Sequence, residues 1–174
     1  HIALFAALIA VLGLVPQITL ASGVPITAQS LGIMLCGTVL GARRGALAVL
    51  LFLALVAAGL PLLSGGRGGI GVFAGPSVGY LIGFPIAAFV TGWLVERTSL
   101  SIGLAASAAA VIGGIGVLYV FGILGLSVML GKSLPEAAFL GMAYLPGDVL
   151  KAALAGMVTQ SLARMRPASL LSRG

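Results

Sequence analysis

Asp148 and Lys151, an acid and an amine three residues apart, are the side chains best spaced to do chemistry together. On a helix that spacing places both on one face. Pro146-Gly147-Asp148 has the form of a helix start, which sets the carboxylate at the positive end of the helix dipole. Ionisable groups within an apolar segment are costly and usually face an interior or a wet cavity. The pair can form a polar floor for a small solute. Aspartate accepts from N–H donors, and lysine meets a carboxylate or a carbonyl oxygen. The plainer alternative is an N-cap beside a lysine that snorkels to the interface.

Arg67 stands alone in Gly65-Gly-Arg-Gly-Gly69. Its planar donor fork suits a carboxylate, although a loop arginine can equally meet water or lipid headgroups. Thr27 and Gln29 open an apolar helix and are neutral hydrogen-bonding candidates, with capping as the alternative for Thr27. Tyr80, Tyr144 and Phe73 can supply apolar walls, or serve as interfacial belt residues. Gly71, Gly75, Gly79 and Gly83 recur every four residues. On one helix they form a flat ridge for close packing, and the upper ones, Gly75 among them, can expose backbone to a ligand.

Other chemistries lack their parts. The single histidine is His1, and the single cysteine, Cys36, sits in an apolar run and reads as a buried, inert thiol. Metal clusters and catalytic triads cannot be assembled from these residues, so no cofactor is expected. Gly131-Lys132-Ser133 resembles the end of a phosphate-binding loop, but Leu126 stands where its first glycine belongs. Energy from ATP would need a partner. No basic stripe with interleaved aromatics points to nucleic acid.

The elements that position these residues follow from composition. Of 174 residues, 60% are hydrophobic and 7% charged, against about 25% charged in soluble domains. The bilayer is the solvent for most of such a chain. A span needs roughly 20 apolar residues, so the expectation is one integral membrane domain over 1–174, all-α, with six transmembrane helices. Breakers place the spans near 2–15, 28–40, 46–59, 77–95, 102–130 and 146–163. The first is short, lacks the charged start of a signal peptide and is expected to miss an upstream turn. Glycines at 113, 114 and 116 make soft points in the fifth. Residues 16–27, with two prolines and alternating β-formers, read as extended. Residues 60–76 hold six glycines and two prolines and are no regular lipid-facing helix. Ser133-Leu-Pro-Glu136 is a capping box that should start a short helix through about Met142. Gly41-Ala-Arg43-Arg44-Gly45 reads as a tight basic turn.

Arg43, Arg44, Arg97, Arg164, Arg166 and Arg173 follow spans two, four and six, whereas only Arg67 and Lys132 follow the odd spans. The positive-inside bias then places both termini in the cytoplasm and the Gly/Pro-rich loops outside, capping a ligand pocket.

The segments Pro25-Ile-Thr-Ala-Gln-Ser-Leu-Gly32, Gly59-Leu-Pro61, Gly65-Gly-Arg-Gly-Gly69, Gly75-Pro-Ser-Val-Gly-Tyr-Leu-Ile-Gly-Phe84 and Leu145-Pro-Gly-Asp-Val-Leu-Lys151 resemble the BioY family, the biotin-specific S components of energy-coupling-factor (ECF) transporters. The resemblance covers nearly the whole chain, in order. It implies a biotin site near the outer face of a bacterial cytoplasmic membrane, with residues 16–27 as a lid. It also implies a transmembrane T component and two cytoplasmic ATPases as partners, the T component docking on small faces of the first span, Ala3/Ala7 and Ala6/Ala10. The family's polar site residues carry over best onto Asp148 and Lys151, then onto Arg67 and Gln29. Biotin offers two urea N–H groups, a carbonyl and a carboxylate. Asp148 can accept from the urea, and Lys151 or Arg67 can meet the carbonyl or the carboxylate. An S component for another vitamin, a passive small-solute channel and a membrane-embedded enzyme are the competing readings.

Overall fold

The computed structural model describes residues 1–19 and 22–173, and these form a bundle of seven α-helices with one small hairpin. The helices are α1 (Ile2–Leu12), α2 (Gln29–Leu40), α3 (Ala42–Ala57), α4 (Val78–Arg97), α5 (Ile102–Leu130), α6 (Leu134–Met142) and α7 (Leu145–Met165). Residues 18–19 and 25–26 pair as antiparallel strands β1 and β2, Ile18 opposite Ile26. This is the extended path that the prolines of segment 16–27 predict, although its residues 20–21 lie outside those described.

Two helices, α4 and α5, are individually long and apolar enough to cross a membrane. Helices α6 and α7 meet at a bend of 57° and make a third span if taken as one broken element, while α1 and α2 are shorter apolar helices. The core where they meet holds Ile33, Met34, Val49, Phe52 and Val56, all essentially inaccessible. Small residues let the backbones approach, as membrane packing favours. A side chain at Gly79 would strike Phe121 and Gly125 of α5, and one at Gly92 would strike the Gly41–Ala42 backbone.

Several boundaries depart from expectation. Helix α3 begins at Ala42 rather than Ala46, so the basic turn shrinks to Gly41. That residue takes a φ of 82°, and the Ala42 amide donates to Glu96 Oε1 at 2.8 Å. An acid from the end of α4 thus caps α3, offsetting two arginines in its first turn. Helix α1 stops at Leu12, before Val15, and α7 continues through Met165. The soft glycines of α5 fall in a π-helical stretch, Ala110–Val117, within a continuous helix. The capping box forms as spaced, with the Ser133 amide and hydroxyl both donating to Glu136.

The four-glycine ridge does not form. Gly71 lies in a short 3-10 helix, Ile70–Ala74, and Gly75 is extended, because Pro76 ends the preceding turn. Only Gly79 and Gly83 share a face of α4, and they pack against α5. The small faces of α1 also separate. Ala3 and Ala7 are exposed, whereas Ala6 is buried and Ala10 packs on the core, because Ala6, Ile9 and Gly13 turn inward together. Ala6 is therefore unavailable as a docking surface, whereas Ala10 is half-buried.

Candidate functional site

At one end of the bundle, residues of α2, α4, α5 and α7 and of the segments around 24–27 and 63–67 border a common space. The cavity between them holds about 580 Å³ of empty space, mouth included. Ile26, Leu63, Leu81, Phe84 and Leu118 give it apolar walls.

The first two turns of α7 bring Asp148 and Lys151 to the cavity, as their spacing predicts. Lys151 Nζ lies 2.9 Å from Asp148 Oδ1, and both side chains are largely shielded. Ser30 of α2 joins them. Its hydroxyl donates to Asp148 Oδ1 at 3.0 Å and accepts from Lys151 Nζ at 2.9 Å. Tyr119 of α5 donates to Asp148 Oδ2 at 2.8 Å. A carboxylate offers about four lone-pair directions and an ammonium three donors. Asp148 Oδ2 therefore keeps one acceptor site, and Lys151 keeps one N–H.

Arg67 also lines the cavity. Its Nε donates to Ser64 O at 3.2 Å, and its guanidinium pairs with no carboxylate among the described residues. Partial burial draws its pKa below the ordinary arginine value, yet arginine stays charged at neutral pH. The cavity therefore carries two cations against one carboxylate, a surplus of one positive charge.

Tyr80 and Tyr144 form part of the wall, and Tyr119 closes an aromatic cluster around Asp148. Tyr80 meets Tyr119 and Tyr144 edge-on, with centroids 6.4 and 5.9 Å apart. Gly122 leaves the room that the Tyr80 ring occupies. The Tyr144 hydroxyl donates to Val24 O at 3.1 Å and shares a 2.6 Å hydrogen bond with Ser22 Oγ, tying the hairpin segment to the cavity wall. Tyr80 and Ser77 line the same cavity, while their hydroxyl oxygens are buried and have no partner among the described residues. Buried polar groups are normally paired, so these two hydroxyls stand out among the cavity's neighbours.

Three sequence expectations change. Gln29 borders the cavity, but its amide is fully engaged by protein. Nε2 donates to Ile9 O and Leu62 O at 3.1 and 3.0 Å, and Oε1 accepts from the Ser64 amide and hydroxyl at 3.1 and 3.2 Å. Those four bonds exhaust a glutamine side chain, so it clasps α1, α2 and the glycine-rich segment rather than a ligand. Phe73 packs against the core from the 3-10 helix and does not line the cavity. Gly75 lies in a shallow outer cleft with Gly71 and the far side of Arg67. Thr27 lines the cavity while its hydroxyl accepts from the Gln29 amide at 3.1 Å, the capping alternative. Sequence reading missed Ser30, Ser77 and Tyr119. Ser30 adjoins Gln29, and Ser77 adjoins the Gly75-Pro76 break, which are local signals. Nothing local marks Tyr119.

Known proteins share this arrangement of chain. The family model described as the BioY family matches residues 1–168. The biotin transporter BioY of Rhodobacter capsulatus is 52% identical, over 99% of this chain and 96% of that protein. The probable biotin transporter BioY of Bacillus subtilis is 44% identical, over 93% and 90%. A crystal structure of the S-component for biotin from an ECF-type ABC transporter superposes with a TM-score of 0.89 at 32% identity, covering 94% of this chain and 89% of that one.

Proposed function

This chain belongs to the BioY family, and on that premise we propose that it is the S subunit that captures biotin for uptake by an ECF-type transporter. It is a transport subunit, not an enzyme. The observation that carries the ligand assignment is the charge balance of the cavity. One acid is matched by Lys151, which leaves Arg67 as the cation without a partner. A solute with one carboxylate and a neutral polar head fits that balance, and biotin is such a solute. Arg67 takes the carboxylate, since a planar donor fork suits it. The remaining acceptor site of Asp148 takes a urea N–H, and the free N–H of Lys151 supplies a donor for the carbonyl.

Titration calorimetry in detergent with biotin and with biotinamide, whose tail is uncharged, tests this. Lys151→Ala should weaken biotin binding at least tenfold, about 1.4 kcal/mol. Unchanged affinity in a folded variant rejects Lys151 as a site residue. Arg67→Gln should weaken biotin by about tenfold while leaving biotinamide at its wild-type affinity. Equal losses for both ligands would move the carboxylate away from Arg67.

The finer reading follows the same logic. Helices α1 to α5 and α7 cross the bacterial cytoplasmic membrane, six spans with both termini inside. Exposed apolar side chains along them, such as Leu4, Leu50, Ile82, Val120 and Val158, support lipid contact, and the arginine placement supports the orientation. The cavity then opens outward, beneath a lid formed by the hairpin segment. A T component and two cytoplasmic ATPases drive release, the T component docking on the exposed Ala3/Ala7 face of α1. Copurification with an ATPase module, compared between the native chain and an Ala3→Leu/Ala7→Leu variant, tests the docking face. Undiminished copurification rejects it.

A further inference from the structure

A second recess lies at the opposite end of the bundle. Helix α4 starts beside the biotin cavity at Ser77–Tyr80 and runs 20 residues to Arg97, about 30 Å at 1.5 Å per residue. There the end of α4 meets the start of α3. Leu40, Ala42 and Leu171 floor the recess, Phe89 and Trp93 wall it, and Arg43, Arg44 and Arg97 ring it. None of the three guanidinium groups pairs with a carboxylate among the described residues. The one acid present, Glu96, accepts from the Ala42 amide. The Arg97 guanidinium lies 4.6 Å from the Trp93 ring centroid, which holds it over an aromatic face. The recess therefore has a formal surplus of two positive charges, and the N-terminal dipole of α3 adds to it.

Apolar tracks lead away from this cationic ring toward the middle of the bundle. On α3, Leu47 and Leu51 follow Arg43 at four-residue spacing, and both are exposed. On α4, Trp93, Phe89, Ile86 and Ile82 follow one another at three- or four-residue spacing, and all are exposed. A compact anion in water would engage the arginines but has no use for the tracks. A ligand with an anionic head and long apolar tails engages both. We propose that this recess is a binding site for an anionic phospholipid, its phosphodiester held by Arg43, Arg44 and Arg97 and its acyl chains lying along α3 and α4. Arginine clusters between helices at a membrane face suit such headgroups. The proposal needs the chain to sit in a membrane but does not depend on what the distant cavity binds.

Purified protein in detergent is titrated with phosphatidylglycerol, phosphatidylcholine or inorganic phosphate and followed by native mass spectrometry, with biotin affinity measured in parallel. Phosphatidylglycerol should bind at least tenfold more tightly than phosphatidylcholine, and inorganic phosphate at equal concentration should not displace it. A variant combining R43Q, R44Q and R97Q should lose that preference while its biotin affinity stays within twofold of wild type. Equal binding of the two lipids, complete displacement by phosphate, or a retained preference in the triple variant would each overturn the site. Should the triple variant lose biotin binding and so report misfolding, R43Q and R97Q are read singly. Each must reduce the lipid preference at least threefold, and wild-type preference in either rejects the proposal.

Discussion

At the cavity end, Asp148 receives hydrogen bonds from side chains on three different helices, and its cationic partner is held within the same network. At the opposite end, Arg43, Arg44 and Arg97 stand exposed around a recess, and the nearest acid is occupied by a backbone amide. The first arrangement fixes a geometry, since each polar group limits where the others can be. The second sets up a field, which needs only the right sign of charge near the right surface. A buried network is sensitive to the loss of any member because an unpaired polar group there bears its full desolvation cost. Solvated charges tolerate single losses, as most surface substitutions lie within about 0.5 kcal/mol of neutral.

The contrast can be tested by substitution. Asp148→Asn should have the largest effect, because it strands the Lys151 ammonium in a shielded site. A destabilisation of about 3 kcal/mol is expected, read by thermal unfolding in detergent, together with loss of biotin binding by calorimetry. A variant that unfolds like the wild type would show that the pair is no more demanding than a surface one. Gln29→Ala comes next. It leaves the carbonyls of Ile9 and Leu62 and the Ser64 amide without their partner, which should cost about 2 kcal/mol of stability. Because Gln29 clasps elements rather than ligand, biotin affinity measured well below the unfolding temperature should fall less than tenfold. A large affinity loss without destabilisation would restore Gln29 as a direct ligand. Arg164→Gln, at an exposed position near the end of α7, should change unfolding by less than about 0.5 kcal/mol and leave biotin binding intact. If it cost as much as Gln29→Ala, the distinction between the two ends would collapse.

Much of the frame was readable from local pattern. Proline and glycine marked the helix ends, Ser133 and Glu136 formed their box, and the spacing of Asp148 and Lys151 put them together on α7. What escaped was decided between elements. Gln29 has the chemistry of a ligand, and only the positions of Ile9, Leu62 and Ser64 reveal that its bonds are already made. Tyr119 reaches Asp148 from just beyond the π-helical stretch of α5, and nothing in an apolar run announces which side a tyrosine will face. The alanines of α1 repeat every four residues on two overlapping faces, and sequence cannot tell which one the neighbouring helices will cover. Gly71 and Gly75 fit a helical ridge by spacing alone, but Pro76 breaks the run that would have aligned them with Gly79.

The Tyr144 hydroxyl has a kinetic consequence. It holds Ser22 and Val24 of the hairpin segment while its ring walls the cavity. Cover and wall are therefore fastened at a single atom. A solute leaving by that route must wait for both contacts to open, whereas one arriving at an already parted segment meets no such delay. If the hairpin segment is the lid proposed above, the fastening would act on residence time more than on the rate of entry, the asymmetry that favours a scavenger of scarce molecules.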